Sequence, residues 1–288
     1  MPQAKRSEFR FFHRLRVRWA EVDMQKIVFN AHYLMYFDTA ITDYWRAMAM
    51  PYEEGMQLLA GDLYVVKATV EFHASARMDD QLDVALRCER IGRSSIAFRG
   101  AIFRGDEHLI SGELVYVFAN PETQTSLPVP DRLRNMLEGF EAGQDMVSVA
   151  VGDWQTLGAG ASAIRKAVFV QEQRIPMELE LDAADATAVH ALATNRLGQV
   201  IGTGRLLQAQ PGVAKIGRMA VHRTLRGSSV GRRLLLALMD AARERGDQQV
   251  MLHAQRSAVG FYDRLGFVAH GAPFEEAGIE HLEMVKAL

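Results

Sequence analysis

The sequence predicts an α+β protein of two domains, in which an antiparallel sheet around a central helix precedes a mixed α/β domain. An aromatic-rich helical pattern over 30–48 leads into four alternating stretches, with turn residues roughly every dozen positions. Late in the chain, residues 215–245 read as a strand, a loop of Arg, Gly and Ser, and an amphipathic helix. Gly139–Asp145 is polar and reads as a linker. The predicted domains therefore span 1–142 and 149–288.

Composition limits the possible functions. The chain has 288 residues, 49% of them hydrophobic, and a formal net charge of −2. Neither half is basic enough to suggest a nucleic-acid partner. The single cysteine, Cys88, excludes an internal disulfide and suits a reducing cytosol. The first residues are charged with no apolar run behind them, and no stretch is apolar enough to cross a bilayer. We expect a cytoplasmic protein without a signal peptide and without a membrane partner.

The first half contains one strand, a long helix and a run of strands. Phe9–Trp19 alternates as a strand does, Ala20–Lys26 forms a polar loop, and a helix runs from Asn30 to Met48. Pro51 ends that helix. The later strands and a short final helix are predicted at Val65–His73, Gln81–Ile91, Ser95–Arg104, His108–Asn120 and Asp131–Phe140. A curved sheet around one helix leaves an edge to pair, so we expect a homo-oligomer formed through this domain.

The segment Val17–Leu34 (VRWAEVDMQKIVFNAHYL) carries a specific pattern: an aromatic residue, an aspartate, an apolar run, and Tyr-Leu at a helix start. It resembles the active-site segment of the 4-hydroxybenzoyl-CoA thioesterase-like hotdog family. The resemblance implies that Asp23 is the catalytic carboxylate. It also implies that backbone N–H groups near Asn30 hold the thioester carbonyl. A carboxylate can attack the thioester or activate water, while a helix N-terminus stabilises the oxyanion.

Three alternatives stay open at this site. Lys26 stands where the family has glycine, so it either obstructs a tight backbone turn or reaches the phosphates of coenzyme A. Glu21 is a second carboxylate in the same loop and competes with Asp23 for the catalytic role. Asp23 can also be an ordinary turn or capping aspartate before a helix.

The second half reads as a mixed α/β domain. Its predicted elements are an edge strand in Met146–Val151, a helix over Ala161–Val170, strands at Thr187–Thr194, Gln199–Gln208 and Ala214–Val221, a helix over Arg232–Arg245, a strand at Gln249–Ala254, a helix over Ser257–Leu265 and a last strand near Ile279–Lys286. The loop before the Arg232–Arg245 helix offers unpaired backbone N–H groups at the positive end of the helix dipole. Such a loop can hold a phosphate.

That loop is similar to the pyrophosphate motif of the GNAT acetyltransferase superfamily, Gln/Arg-x-x-Gly-x-Gly/Ala. Arg226 fills its first position and Gly231 its last, while Ser229 stands at the usual middle glycine. An ordinary strand–helix turn is the alternative. The resemblance places the pyrophosphate of coenzyme A on Arg226, Gly227, Ser228, Ser229, Val230 and Gly231. It places the pantetheine amides along the backbone of Met219, Ala220 and Val221.

Two further segments match the same superfamily. Residues 165–176 (RKAVFVQEQRIP) are similar to a GNAT pattern that flanks the acceptor pocket, and 258–267 (AVGFYDRLGF) match a late motif. The resemblance makes Tyr262 the candidate acid that protonates the leaving thiolate; a core aromatic is the alternative. An acidic run either favours a cationic amine or is only solvated: Glu172, Glu178, Glu180, Asp182 and Asp185.

The resemblances together predict a bifunctional CoA-thioester enzyme. The first domain would hydrolyse acyl-CoA, and the second would transfer an acyl or acetyl group from acyl-CoA to an amine. No set of side chains has metal-ligand spacing, so we expect no metal. The alternative is a CoA-dependent N-acetyltransferase whose hotdog half is a non-catalytic module for dimerisation or acyl-CoA sensing.

Overall fold

The computed structural model describes residues 3–180 and 182–288. The chain folds as two compact units, Met1–Met146 and Val147–Leu288. Within the described ranges, no helix is both long and apolar enough to cross a membrane.

The first unit is a five-stranded antiparallel sheet with one long helix. In chain order its elements are β1 (Phe11–Arg16), α1 (Asn30–Ala47), α2 (Tyr52–Leu59), β2 (Asp62–Phe72), β3 (Gln81–Ile91), β4 (Ser95–Arg104), β5 (Glu107–Ala119) and α3 (Asp131–Glu141). The strand order is β1-β3-β4-β5-β2, so β1 and β2 are the edges. The predicted antiparallel sheet with a central helix is confirmed.

A pair of glycines lets α1 lie close to the sheet. Gly100 and Gly112 are directly opposite each other on β4 and β5. The ring of Phe37, which is fully buried in α1, lies over both. A Cβ atom at Gly100 would come within 2.4 Å of that ring, and one at Gly112 within 2.6 Å. Because a larger side chain would push the helix away, these glycines fix the height of α1 above the sheet.

Two details of this unit differ from the sequence expectation. The first strand ends at Arg16, and Trp19 lies in a 3₁₀ turn with 79% of its surface exposed. The helix α2, which the sequence pattern does not predict, follows directly after Pro51. Proline disrupts a helix interior but suits the first positions of a new helix. The helix α1 already ends at Ala47, and Pro51 is the N-cap of α2.

The second unit is a seven-stranded sheet with helices. Its elements are β6 (Val147–Gly152), α4 (Trp154–Arg165), α5 (Met177–Glu180), β7 (Val189–Asn195), β8 (Val200–Gln210), β9 (Val213–Val221), α6 (Val230–Arg245), β10 (Gln249–Gln255), α7 (Val259–Asp263), β11 (Val268–Glu276) and β12 (Ile279–Ala287). The strand order is β11-β12-β10-β9-β8-β7-β6. The pairing of β9 with β10 is parallel, and the other pairings of this sheet are antiparallel. The predicted mixed α/β class is confirmed.

Small residues also position α6 on this sheet. A Cβ atom at Gly202 would lie 2.9 Å from Leu234, and one at Gly204 would lie 2.8 Å from Leu238. Leu234 and Leu238 are fully buried on the apolar face of α6. This close packing of α6 on β8 brings the start of the helix to the end of β9, where the predicted phosphate loop lies.

Two features of the second unit differ from the sequence expectation: the helix predicted over Ala161–Val170 starts earlier, and an additional edge strand precedes the last strand. The helix α4 begins at Trp154, where Asp153 caps it by accepting a hydrogen bond from the Thr156 N–H at 2.9 Å. It continues past Arg165 as a π-helical segment, Lys166–Glu172. The strand β11 contains Gly271 and Pro273 and an irregular register, and most of its residues are exposed. Its sequence lacks the alternation that marks a half-buried strand, because this edge strand buries little.

Candidate active sites

Asp23 lies at the start of a tight turn in the first unit. Val22 and Val28 form an isolated β-bridge that closes the turn. The Asp23 N–H donates to the Ile27 carbonyl at 2.9 Å. The Asp23 Oδ1 atom accepts from the Gln25 N–H at 2.8 Å, which is the geometry of an Asx turn. One carboxylate oxygen is therefore used locally, and the other carries no hydrogen bond within the described chain.

Lys26 adopts the backbone conformation that a glycine would take in this turn. Its φ is +61°, and its N–H donates to the Asp23 carbonyl at 2.9 Å. The lysine therefore does not block the turn. Left-handed φ values cost an L-residue about 1–2 kcal/mol, so the turn forms at the expense of local strain. The side chain is exposed.

Asp23 and Asn30 line one cavity of about 590 Å³. Most of the remaining lining is apolar or aromatic: Met24, Ile27, Val28, Phe29, Tyr33, Phe72 and Ala74, with Gln25 and Ser75. Phe29 and Phe72 are each about half exposed, so the apolar wall is open to solvent. A partly exposed carboxylate beside such a wall suits an acyl chain and its reactive carbonyl.

The helix α1 starts at the same cavity. It begins at Asn30, and no side chain caps its N-terminus. The first backbone N–H groups of a helix have no partner within the helix. Together with the helix dipole, they can stabilise negative charge that develops on a carbonyl oxygen. The structure thus places Asp23 and the N-terminus of α1 at one cavity.

Glu21 has a structural role instead. It is 3% exposed and does not line the cavity. Its carboxylate accepts from the Arg18 backbone N–H at 2.7 Å, from Arg18 Nε at 2.7 Å and from the Tyr36 hydroxyl at 2.8 Å. Burial alone would raise the pKa of Glu21, but these hydrogen bonds outweigh it and the pKa lies below its usual value. The second carboxylate of the loop therefore anchors it.

In the second unit, β9 separates from β10 partway along its length. The parallel ladder between them ends at the pair Ile216 and Leu252. Beyond that point Arg218 takes a φ of +51°, and the register with β8 shifts between Thr203 and Arg205, as at a β-bulge. Ala220 and Val221 pair with β8 on one side, and Met219 to Val221 have no ladder with β10 on the other. An extended ligand with amide groups can pair there as an added strand.

The loop that follows contains one left-handed residue, and the Ser228 N–H is bound within the loop by the Leu225 carbonyl at 3.2 Å. Gly227 has a φ of +82°, the left-handed region that glycine favours. Ser229 has a φ of −79°, which any residue adopts. Serine at the motif's middle position therefore adds no backbone strain. Val230 and Ala220 are buried, so their side chains are part of the core and only their backbone groups are available to a ligand.

Arg226, the first residue of the motif, is paired. Its two terminal nitrogens donate to the two oxygens of Glu172, at 2.5 Å and 2.6 Å, and its Nε atom donates to the Val221 carbonyl at 3.3 Å. The hydrogen bond from Arg226 lowers the pKa of Glu172 despite some burial. A phosphate at this loop would compete with Glu172 for the guanidinium group.

Met219 and Tyr262 line a second cavity of about 530 Å³. Tyr262 is 8% exposed and packs against Phe261 and Phe267. Burial raises the pKa of Tyr262 to about 12, so the phenol keeps its proton at neutral pH. Within the described residues its hydroxyl has no hydrogen-bond partner. Tyr262 is thus both a core aromatic and a proton-bearing group at the cavity wall.

Four carboxylates of the predicted acidic run are held in ion pairs: Glu172 by Arg226, and Glu180, Asp182 and Asp185 by arginines of one network. Arg165 is 1% exposed and binds Glu180 and Asp185, with contacts of 2.9 Å and 2.8 Å respectively. Arg205 contacts both Asp182 and Asp185, at 2.7 Å and 2.8 Å. Burial would raise the pKa of Asp185, but hydrogen bonds from both arginines hold it at about 2. The run is therefore neither simply solvated nor a free acidic rim for a cationic amine.

Sequence reasoning misses this network and the strand bulge. The motif resemblance assigns Arg165 only to a segment beside the acceptor pocket, because a sequence does not show that a charge is buried. Arg218 has no distinguishing signal, since left-handed backbone at a non-glycine residue depends on its neighbours. Within the described ranges, no cluster of His, Cys, Asp and Glu side chains is arranged to hold a metal.

The comparisons agree with the two folds. A family model described as an acetyltransferase (GNAT) domain matches residues 144–288, and a thioesterase superfamily model matches 25–111. The uncharacterized N-acetyltransferase YjcF of Bacillus subtilis is 35% identical over 124 residues, covering 43% of this chain and 87% of that protein.

Two solved structures are similar to parts of this chain. An acyl-CoA N-acyltransferase from Pseudomonas aeruginosa is 31% identical with a TM-score of 0.44, covering 49% of this chain and 99% of that chain. A thioesterase superfamily protein from Jannaschia sp. CCS1 is 24% identical with a TM-score of 0.44, covering 48% of this chain and 96% of that chain.

The chain thus joins a thioesterase-type hotdog domain to an acetyltransferase-type domain. It belongs to the GNAT acetyltransferase family through its C-terminal part, and the thioesterase superfamily domain precedes it. Both families use acyl-CoA as a substrate.

Proposed function

We propose that the protein is a bifunctional CoA-thioester enzyme of the cytoplasm. Its first domain hydrolyses acyl-CoA to a carboxylic acid and free coenzyme A, and its second domain transfers an acyl or acetyl group from acyl-CoA to an amine. The observation that carries the proposal is common to both domains. In the first, Asp23 and Asn30 line one cavity, and in the second, Tyr262 and Met219 line another.

Hydrolysis depends on Asp23 and the start of α1. The Asp23 carboxylate activates water or attacks the thioester carbonyl carbon itself. The N–H groups at the start of the helix, near Asn30, stabilise the oxyanion. The apolar lining, with Phe29 and Phe72 exposed, holds the acyl chain. A second oxygen of Asp23 without a hydrogen bond supports this role, because the Asx turn fixes the carboxylate and leaves that oxygen available.

Transfer depends on the unpaired stretch of β9 and on Tyr262. Pantetheine pairs with the backbone of Met219–Val221, and the pyrophosphate binds the loop from Arg226 to Gly231, replacing Glu172 at the guanidinium. The amine nitrogen attacks the thioester carbon, and the C–S bond breaks. Tyr262 supplies the proton for the departing sulfur, since its hydroxyl lies at the cavity wall and is protonated at neutral pH.

A second candidate function is an N-acetyltransferase whose hotdog half only dimerises or senses acyl-CoA. The edge strand β2 favours it, because Val65 and Val66 are 51% and 60% exposed there. Leu34 and Met35 of α1 are also partly exposed. An exposed apolar edge of this kind pairs readily with a second copy of the chain. We propose a homo-oligomer through β2 in either case.

One experiment on the full-length chain separates the two activities. Release of free coenzyme A from a panel of acyl-CoAs is measured with and without a panel of amines, for wild type, Asp23→Asn and Tyr262→Phe. Asp23→Asn should reduce release without amine about a hundredfold or more, and should leave amine-dependent transfer unchanged. Tyr262→Phe should reduce transfer about a hundredfold and leave hydrolysis unchanged.

Each variant is thereby the control for the other domain. If wild type transfers acyl groups but hydrolyses none without amine, the second candidate function replaces the first. If wild-type hydrolysis persists in Asp23→Asn, the carboxylate is not the catalyst, and the Asx turn is its whole role.

A further inference from the structure

A histidine and a carboxylate meet at the wall of the second cavity. His253 on β10 and Glu276 at the end of β11 both line it, together with Tyr262. The His253 Nδ1 atom lies 2.8 Å from Glu276 Oε2. The Phe274 ring packs edge-on against the imidazole at a centroid distance of 4.8 Å. Nothing in the sequence links these two residues, which lie far apart along the chain and meet only through the β10–β12–β11 order of the sheet.

The pairing of His253 with Glu276 determines which ring nitrogen can accept a proton. Burial alone would raise the pKa of Glu276, but the hydrogen bond from His253, together with the charges of His253, His281 and Lys215, outweighs it and the pKa lies below its usual value. An ionised carboxylate only accepts hydrogen bonds, so Nδ1 carries the proton in the neutral ring. Nε2 is then the basic nitrogen, and within the described chain it has no hydrogen-bond partner.

Other charged groups surround the imidazole. Glu283 lies directly opposite His253 in the β10–β12 pairing, but its carboxylate binds His270 at 2.7 Å. Lys215 and His281 line the same cavity and both lower the pKa of Glu276. Among these groups, Glu276 is the carboxylate in contact with His253. It is therefore the group that orients the ring.

We propose that His253 is the general base of acyl transfer and that Glu276 positions it. The inference rests on the proposed transferase function and assigns a residue for the step which that function leaves open, removal of the proton from the amine. His253 and Glu276 line the same cavity as Tyr262, so the proposed base and the proposed acid belong to one site. A base near neutral pH suits an imidazole.

The proton transfers balance. The amine nitrogen attacks the thioester carbonyl carbon, forming the C–N bond and placing a positive charge on nitrogen. His253 Nε2 takes a proton from that nitrogen. The C–S bond breaks, and the sulfur takes the hydroxyl proton of Tyr262. Transfer of the proton from His253 to the phenolate through solvent restores both side chains. The net reaction converts amine and thioester into amide and thiol.

The test measures amine-dependent transfer against pH in the full-length chain, using acetyl-CoA and the best amine from the panel. His253→Gln should lower kcat about a hundredfold while the KM for acetyl-CoA stays within about twofold. It should also remove the acidic limb of the kcat/KM profile. Glu276→Gln keeps the shape of the side chain but loses its charge, which favours the neutral imidazole. The acidic limb of the kcat/KM profile of Glu276→Gln should move to lower pH, and its loss of kcat should be smaller than that of His253→Gln.

His270→Gln is the matched control. His270 is also paired with a glutamate, Glu283, but it is 70% exposed and does not line the cavity. Its activity and pH profile should equal those of wild type, and all variants should unfold at the wild-type temperature.

Retention of the acidic limb in His253→Gln, with wild type active, overturns the dyad and leaves the transferase function standing. If Glu276→Gln loses activity equally at every pH and the acidic limb of its kcat/KM profile does not shift, Glu276 does not position His253. If wild type transfers to no amine of the panel, the transferase function fails, and the dyad's role fails with it.

Discussion

Both candidate sites are held in place by a carboxylate–arginine pair, but the two pairs differ in burial. In the first unit, Glu21 is buried while its partner Arg18 is 73% exposed. In the second unit, Arg165 is 1% exposed, and its partners Glu180 and Asp185 are 3% and 4% exposed. Similar chemistry therefore operates in two dielectric environments. A water-exposed pair contributes little to stability, whereas a buried pair that loses one partner leaves an uncompensated charge.

The backbone shows the same contrast. Lys26 and Arg218 both occupy the left-handed region, with φ values of +61° and +51°. Lys26 is exposed, and its backbone N–H is bound within the turn. Arg218 is held through its guanidinium by the Glu180 carbonyl and by Asp182, both at 3.1 Å. The first site is thus a locally closed turn, and the second is part of an extended ionic network.

The largest expected effect comes from breaking the buried network. Arg165→Met should destabilise the second unit by roughly 3–5 kcal/mol, because the Glu180 carboxylate would remain buried without its partner and Asp185 would keep only Arg205. Hydrogen–deuterium exchange of full-length protein in denaturant, followed by mass spectrometry, reports this separately for each unit. Arg18→Met is the matched variant in the first unit. It should cost at most about 1 kcal/mol, since Glu21 keeps the Arg18 N–H and the Tyr36 hydroxyl. Equal losses in the two units would contradict the contrast in burial.

The next largest effect should be a loss of stability of the second unit at low pH. The pKa of Asp185 is about 2, below its ordinary value near 3.8, so its ionised form stabilises the fold. This contribution, about 2 kcal/mol, is fully present above pH ~4 and is lost as the pH falls through ~2. The free energy of unfolding of the second unit, measured in denaturant from pH 5 to pH 2, should fall over that window. Arg165→Met should flatten the dependence, because one of the two arginines that lower this pKa is gone. An unchanged slope in that variant would show that Asp185 is not the titrating group.

The smallest effect concerns the strained turn beside Asp23. Lys26→Gly should stabilise the first unit by up to about 1 kcal/mol, because relief of the left-handed strain exceeds the entropy that glycine adds to the unfolded chain. Lys26→Ala keeps a Cβ atom in the same conformation and should be near neutral. Chemical denaturation of the three proteins measures the difference. A destabilised Lys26→Gly variant would mean that the lysine side chain makes a stabilising interaction at the turn.

The fold is largely accessible from the sequence. Helical periodicity in 30–48 and alternation in the strands predict the sheet around α1, because one buried face imposes its period on the residues. Errors occur where burial is weak or local signals conflict. The strand β11 is exposed and irregular, and Pro51 hides the start of α2. Phe37 packs on Gly100 and Gly112, which lie far from it in the chain. No local sequence pattern therefore predicts these contacts.

The sequence by itself determined the order of the elements and the residues at the motif positions: Asp23, Asn30, Tyr262 and the loop from Arg226 to Gly231. Periodicity and short motifs are local properties, so they can be recognised in the sequence alone. Only the tertiary structure decided that Glu21 anchors a loop, that Arg165 is the centre of a buried ionic network, and that His253 meets Glu276. These outcomes depend on which side chains lose water and which partners then lie within hydrogen-bond distance. Burial and long-range proximity arise from packing of the whole domain, and no segment of the chain specifies them alone.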